Sequence, residues 1–157
     1  MGARKKGRHK LDVEGRAFIW YVKPDDDSAA FILHVLSDDK RFIVRYELLQ
    51  QEARRHLTVI GKEFGRVSGT GNCWRRFRCP GWEKDGVITP SSVRNLVDWS
   101  QQTNVATQEV DCAGLPLPIG GCCTACGYDL RGNVPVNSVS CPKCGHVIAE
   151  RAGITNG

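Results

Sequence analysis

Eight cysteines stand out in this sequence of 157 residues, and four of them form two matched doublets near its C-terminal end. Two residues separate the cysteines of each doublet, and a glycine follows each doublet. This gap lets both thiolates reach one ion from a tight turn, while the glycine permits the positive φ that directs backbone N–H groups toward sulfur. Four thiolates in a tetrahedron leave no place for a substrate water. The spacing therefore predicts one structural Zn²⁺ ion, held by Cys123, Cys126, Cys141 and Cys144.

Two other chemistries use the same residue types, namely a pair of disulfides and a redox-active Cys-x-x-Cys motif. Zinc is favoured over both, because the chain is expected in a reducing compartment and a redox motif needs only one doublet beside a βαβ unit. Residues 122–149 also form too short a segment to fold by apolar burial alone. Metal binding, worth about 10–16 kcal/mol in comparable peptides, would supply most of the folding free energy of this segment.

The doublets lie in a longer pattern, Cys-x-x-Cys-Gly-Tyr-Asp-Leu-Arg-Gly at residues 123–132 and Cys-Pro-x-Cys-Gly at residues 141–145. This pattern resembles a short zinc ribbon found in uncharacterised bacterial proteins, notably those of planctomycetes. The resemblance covers residues 122–149 and implies a rubredoxin-like ribbon with four cysteine ligands and no assigned activity. Thr124 departs from the proline common at that position, which leaves the ligand set unchanged.

Four residues after the first doublet, Tyr128, Asp129, Leu130 and Arg131, allow two interpretations. They can form a recognition surface, or they can support the ribbon internally, with Leu130 as its small core and the two charged residues bracing the loop. Internal support is favoured because so small a unit needs its few large residues for itself.

The other cysteines, Cys73, Cys79, Cys112 and Cys122, form no doublet and are expected to be free thiols. A second zinc site made from Cys73, Cys79, Cys112 and a histidine has no usual ligand spacing. Cys122 is adjacent to Cys123, but three residues separate it from Cys126, whereas each metal-binding doublet has two. Cys122 is therefore not expected to replace Cys123 as a ligand.

Recognisable catalytic motifs are absent from the sequence. There is no Gly-x-Ser-x-Gly or His-Glu-x-x-His motif, and the segments around Gly61 and Gly69 fit neither a P-loop nor a dinucleotide-binding motif. The chain is therefore predicted to be non-catalytic, without an identified small-molecule substrate. An enzyme with an unrecognised site remains an alternative.

Basic residues are concentrated in two segments of a chain whose net charge is +5. Residues 1–16 carry a net charge of +4 and residues 40–78 carry +7. Such a distribution is typical of nucleic-acid binding, although it also occurs on a merely solvated surface. Arginines beside aromatic rings can contact phosphates while the rings stack on bases. The candidate nucleic-acid contacts are Arg54, Arg55, Trp74, Arg75, Arg76 and Arg78.

One feature of the last four candidates weakens this interpretation. If residues 74–78 form a strand, Trp74, Arg76 and Arg78 share one face while Arg75 and Phe77 share the other. The alternative partner is a protein that docks on the ribbon, since residues 79–157 carry a net charge of −2, which becomes more negative when four thiolates bind Zn²⁺.

Two protein classes are excluded by the apolar patterning. The sequence has no apolar run near the ~20 residues of a membrane helix. Its basic N-terminus also lacks the apolar segment of a signal peptide. We therefore expect a cytoplasmic protein without a membrane partner, and the resemblance of the ribbon implies a bacterial one.

Strand-type alternation predicts a β-rich domain. Strands are expected over residues 17–23, 29–37, 41–49, 57–61 and 72–80. Thr89 and Pro90 then mark a helix start, and the recurrence of Val93, Leu96, Val97 and Ser100 predicts a helix over residues 90–101. The expected fold class is α+β, an antiparallel β-meander covered by one helix and followed by a small C-terminal zinc ribbon.

The domain organisation follows from these elements. A basic arm without apolar periodicity is expected to be disordered, and a segment rich in proline and glycine reads as a linker. The predicted segments are the arm at 1–11, the β-rich α+β domain at 12–102, the linker at 103–121, the zinc ribbon at 122–149 and a tail at 150–157.

Overall fold

The computed structural model describes residues 7–67, 74–103, 105–118, 121–131 and 139–148. Within them it shows seven strands, one short 3₁₀ helix and one α-helix, which agrees with an α+β protein. The strands are β1 (His9–Val13), β2 (Arg16–Pro24), β3 (Phe31–Ser37), β4 (Ile43–Glu47), β5 (His56–Val59), β6 (Arg75–Arg78) and β7 (Glu109–Val110). The 3₁₀ helix spans Glu52–Arg54, and α1 spans Pro90–Gln101.

The strands form a single antiparallel sheet in which each strand pairs with the next one along the chain. This order is a meander, and the central five strands lie within the five segments that alternation predicts, except for Arg16, Pro24 and His56 at strand ends. Tight turns explain the order, because short connections can join only antiparallel neighbours. In the turn after β3, for example, the Ser37 hydroxyl accepts a hydrogen bond from the Phe42 backbone at 3.0 Å.

One face of the sheet carries the main hydrophobic core. Alternate residues of a strand point to opposite faces, and every second residue of β4 and its flanks is buried. The same core contains residues of the neighbouring strands and of α1. The inward residues of β4 and its flanks are Phe42, Val44, Tyr46 and Leu48.

The helix α1 has the predicted limits. The Thr89 side chain accepts a hydrogen bond from the backbone N–H of Ser92, and Ser92 in turn accepts one from the Thr89 N–H, which satisfies free donors of the first turn. Val93, Leu96 and Val97 are buried in the same hydrophobic core as the strands. The helix therefore contributes its apolar stripe to that core.

The N-terminal arm is shorter than expected. His9, Lys10 and Leu11 belong to β1, which pairs along its length with β2 from Val13 opposite Arg16 to His9 opposite Trp20. The prediction of disorder for these three residues is wrong, because a strand with few apolar residues of its own is held by the backbone hydrogen bonds of its neighbour. Residues 1–6 lie outside the described residues.

The predicted linker is also different in the structure. β7 pairs with β6, and a turn centred on the Asp111 side chain, which accepts hydrogen bonds from the N–H groups of Ala113 and Leu115, returns the chain beside β7. Gly114 has a positive φ, and a Cβ there would lie 2.2 Å from the Arg54 carbonyl oxygen. Proline and glycine therefore form a tight hairpin against the sheet here. A free linker is ruled out for residues 109–118.

The C-terminal ribbon has its own small core. The buried residues Leu117, Leu130 and Ile148 pack with Cys123 and Cys141, and Tyr128 packs at the edge of this cluster. Leu117 comes from the predicted linker, so the ribbon core begins before residue 122. Residues 132–138 between the doublets and the predicted tail at 150–157 lie outside the described residues.

Candidate functional site

The two cysteine doublets adopt the same local conformation. The Gly127 N–H donates to the Cys123 carbonyl at 2.8 Å, and the Gly145 N–H donates to the Cys141 carbonyl at 2.9 Å. Both glycines have a φ of 77°, a region that residues with a Cβ rarely adopt. The glycine after each doublet therefore has the conformational role that the sequence predicts.

Matching hydrogen bonds close each doublet into a loop. The Cys123 N–H donates to the Tyr128 carbonyl and the Cys141 N–H donates to the His146 carbonyl, both at 2.8 Å. Each loop ends in an isolated antiparallel bridge, Cys122 with Asp129 and Ser140 with Val147. Two equivalent loops facing each other bring four thiols to one point from opposite sides.

The four sulfur atoms have the spacing of a metal site. The Sγ atoms of Cys123 and Cys144 are 3.7 Å apart, as are those of Cys126 and Cys141. All four Sγ atoms lie within 4.8 Å of one another. Sulfurs at about 2.3 Å from a central Zn²⁺ ion in a tetrahedron are about 3.8 Å apart, so the cluster is the right size to hold a metal ion.

Backbone donors act on these thiols. The N–H groups of Cys126 and Ala125 point at the Cys123 sulfur and lower the pKa of that thiol to about 6. The Lys143 N–H lies 3.4 Å from the Cys141 sulfur, which is the equivalent contact in the second doublet. Donors of this kind favour thiolate, the form that binds metals. Cys123 and Cys141 are buried, whereas Cys126 and Cys144 are exposed.

An ion-pair triad joins the ribbon to the sheet. Glu109 of β7 accepts hydrogen bonds from Arg131 at 2.7 and 3.2 Å and from Arg75 of β6 at 3.2 and 3.0 Å. The sequence pattern favours local support of the ribbon over a recognition surface for Arg131 and does not indicate Glu109. A carboxylate between two cations from distant segments leaves no local pattern. Leu130 is fully buried, as the internal interpretation of that segment predicts.

The other cysteines that the structure describes do not join the cluster. Cys79 is partly buried, and burial raises the pKa of its thiol. Cys112 is exposed, and Cys122 does not belong to the group of four sulfurs. Across the described ranges, which exclude Cys73, the four ribbon cysteines are the only His, Cys, Asp or Glu group arranged to hold a metal ion.

Four of the six candidate nucleic-acid residues have structural contacts of their own. Arg75 pairs with Glu109, and the Arg78 guanidinium donates to the carbonyls of Ala53 and Gly114. The Arg55 side chain packs against Gly81, and the Arg54 carbonyl lies 2.8 Å from His56 Nδ1. The structure therefore does not bring all six residues to one binding surface.

Trp74 and Arg76 lie on the sheet face opposite the main core, the face to which strand alternation also assigns Arg78. The strand register places Arg76 in one cross-strand row, Tyr21–His34–Arg45–Thr58–Arg76, in which each residue pairs with the next. We call this row, together with Trp74 and Lys23, the open face. Tyr21, His34 and Arg45 were not predicted as site residues. The available sequence signal was strand alternation, which places these three residues on the outward side of their strands.

No helix in the part of the chain that the structure describes is long and apolar enough to cross a membrane. A scan of protein-family models matches none of them to this chain, and searches of curated proteins and of solved structures find no match either.

Proposed function

We propose that this chain is a non-catalytic zinc-ribbon protein that binds nucleic acid. Its main domain would be the antiparallel meander covered on one face by α1, and its ribbon would belong with the short bacterial ribbons that it resembles. A bacterial cytoplasm, in which thiols stay reduced, suits this assignment. The observation that carries the metal assignment is the 3.7 Å spacing of the paired sulfur atoms.

The metal is proposed to be Zn²⁺ with a structural role. Four thiolates in a tetrahedral arrangement suit zinc or iron, and a site with four protein ligands has no open position for a reacting water. Elemental analysis of the purified protein should give one zinc atom per chain. An iron content near one per chain, with the visible absorption of an iron–thiolate centre, would contradict the zinc assignment.

Nucleic-acid binding is supported by the position of the basic residues around Trp74. Trp74 is 50% exposed, and the Arg45 guanidinium lies 5.2 Å from the centroid of its indole ring. An exposed ring beside guanidinium groups suits stacking on a base with cations near the phosphates. The test is fluorescence anisotropy of the wild-type protein with labelled RNA and DNA across a salt series. The logarithm of the association constant should fall linearly with the logarithm of the salt concentration. An absence of binding at low salt would contradict this function.

Protein docking is a second candidate, and one observation favours it. Val22, Phe31 and Leu49 are exposed and line a cavity of about 480 Å³. Leu49 has a φ of 61°, which is rare for a bulky residue and is stabilised where its N–H donates to Glu83 at 3.2 Å. Exposed apolar groups of this kind mark interaction sites. Nuclease-treated pull-downs, in which Leu49→Ser loses a protein retained by wild type, would favour docking.

A further inference from the structure

The open face carries a continuous row of polar and aromatic side chains across five strands. Tyr21 pairs with His34, His34 with Arg45, Arg45 with Thr58 and Thr58 with Arg76. Neighbouring strands lie about 4.8 Å apart, so the row extends over about 19 Å. This length suits an extended strand of a polymer that crosses the sheet.

Flat rings occupy both ends of the row. The rings of Tyr21 and His34 stack with centroids 4.8 Å apart and planes inclined by 13°, and the Arg8 guanidinium lies 5.0 Å from the Tyr21 centroid. Trp74 lies near the other end, beside Arg45. Burial, together with the charges of Arg45 and Lys23, lowers the pKa of His34 to about 4. His34 is therefore a neutral ring at pH 7.

Three polar side chains of the open face have hydrogen-bonding groups without a partner among the residues that the structure describes. Arg45 Nε and His34 Nε2 are buried without a hydrogen-bond partner in the described part of the chain. The Arg76 guanidinium likewise makes no hydrogen bond or ion pair with any described residue, in contrast to that of its neighbour Arg75, which is held by Glu109. The nearest ion pair of Arg45 is a long one, 3.8 Å from Asp25. The partly exposed Arg76 guanidinium is therefore available to an anionic ligand, whereas Arg45 Nε and His34 Nε2 are shielded from solvent.

A shallow depression of about 220 Å³ lies between these groups. Its lining includes Trp74, Arg45 and Arg76, together with the carboxylates of Asp25 and Glu47. The carboxylates disfavour a phosphate inside the depression, whereas they can accept hydrogen bonds from base amino groups. The chemistry therefore favours a base in the depression, with the phosphates outside it along the basic side chains.

We propose that the open face binds single-stranded nucleic acid, with one base stacked on Trp74 and a phosphate held by Arg76. This proposal rests on the proposed function and specifies its ligand. A duplex fits poorly, because its bases are already stacked on one another and cannot reach Trp74. Most sequence-tolerant binding by aromatic platforms uses unpaired bases for this reason.

The test compares wild type and four variants by anisotropy with a labelled single-stranded oligonucleotide, in RNA and DNA forms, and with a matched hairpin duplex. Trp74→Ala should weaken single-strand binding about 5- to 100-fold without changing the salt slope, because it removes stacking. Arg76→Gln should reduce the slope by about 0.7, the value for one lost phosphate contact with a single strand. Trp74→Phe should restore most of the affinity.

Lys84→Gln is the matched control, since Lys84 is exposed and lies outside the open face. It should bind like wild type. Single-strand binding that is unaffected by both Trp74→Ala and Arg76→Gln, or a duplex affinity equal to the single-strand affinity, would overturn this inference and leave the proposed function standing. An absence of binding by wild-type protein would overturn both. Circular dichroism of each variant verifies that it is folded.

Discussion

The Glu109 carboxylate accepts two hydrogen bonds from the Arg131 guanidinium, and this pair connects the metal ribbon to the edge of the sheet. Glu109 is only 8% exposed. Burial by itself would raise the pKa of Glu109, but hydrogen bonds from Arg75 and Arg131 outweigh it and hold the pKa below its ordinary value. An ionised, buried carboxylate therefore joins the two parts of the chain.

Replacing Glu109 by Gln should destabilise the protein by about 3 kcal/mol, because breaking a buried ion pair leaves uncompensated charge. The loss is not larger because Arg131 keeps part of its surface in water. Chemical denaturation of the metal-loaded protein measures this loss. Asp98→Asn, at an exposed carboxyl of α1, is the control and should change stability by less than about 0.5 kcal/mol. Equal stability of Glu109→Gln and wild type would contradict the claim that the ion pairs of Glu109 stabilise the fold.

Replacing Cys126 by Ser should abolish stoichiometric zinc binding, whereas Cys122→Ser should leave it near one atom per chain. The two positions lie in the same loop, but only Cys126 belongs to the cluster of four sulfurs. Elemental analysis gives the metal content. Hydrogen exchange should show that Cys126→Ser also loosens residues 109–117, because Leu117 packs in the ribbon core. Retention of zinc by Cys126→Ser would refute the ligand assignment.

Replacing Leu96 by Ala should cost about 2–5 kcal/mol, which is enough to unfold a domain of ordinary stability. Leu96 is fully buried in the core that α1 shares with the strands. Thermal denaturation measures the effect, and Asn95→Ala, at the exposed neighbouring position, is the control. An unchanged melting temperature would mean that α1 does not cover the sheet in solution.

The pKa of His34, lowered from 6.5 to about 4, predicts a pH dependence of stability. Between these values the unfolded chain binds a proton that the folded chain does not, so stability is complete above pH 6.5 and falls as the pH drops toward 4. We expect a loss of about 1–2 kcal/mol, reduced from the full shift because the ring is only partly buried.

His34→Phe keeps an aromatic ring against Tyr21 and should remove this part of the pH dependence. His9→Phe is the control, because His9 also stacks on an aromatic ring, that of Trp20, but is exposed. The measurement is the free energy of unfolding from chemical denaturation at several pH values between 4 and 7, with near-ultraviolet circular dichroism as the readout. Identical profiles for His34→Phe and wild type would contradict the prediction.

Local patterns in the sequence determine the elements whose information lies within a few residues. The doublet spacing with its glycines gives two equivalent loops, and the Thr89-Pro90 start and apolar recurrence give the limits of α1. Alternation likewise separates buried Phe77 from partly exposed Arg76. These features are predictable because capping, turn conformation and strand alternation depend on neighbouring residues.

Only the tertiary structure decides which distant residues meet. β7 has two residues, too few to show a period, and it exists because β6 offers backbone partners. Strand register aligns Tyr21 with Arg76 across three intervening strands. The contact of Glu109 with Arg131 likewise depends on the ribbon lying against the sheet edge. Such contacts form between segments far apart in the chain, and no local period encodes them.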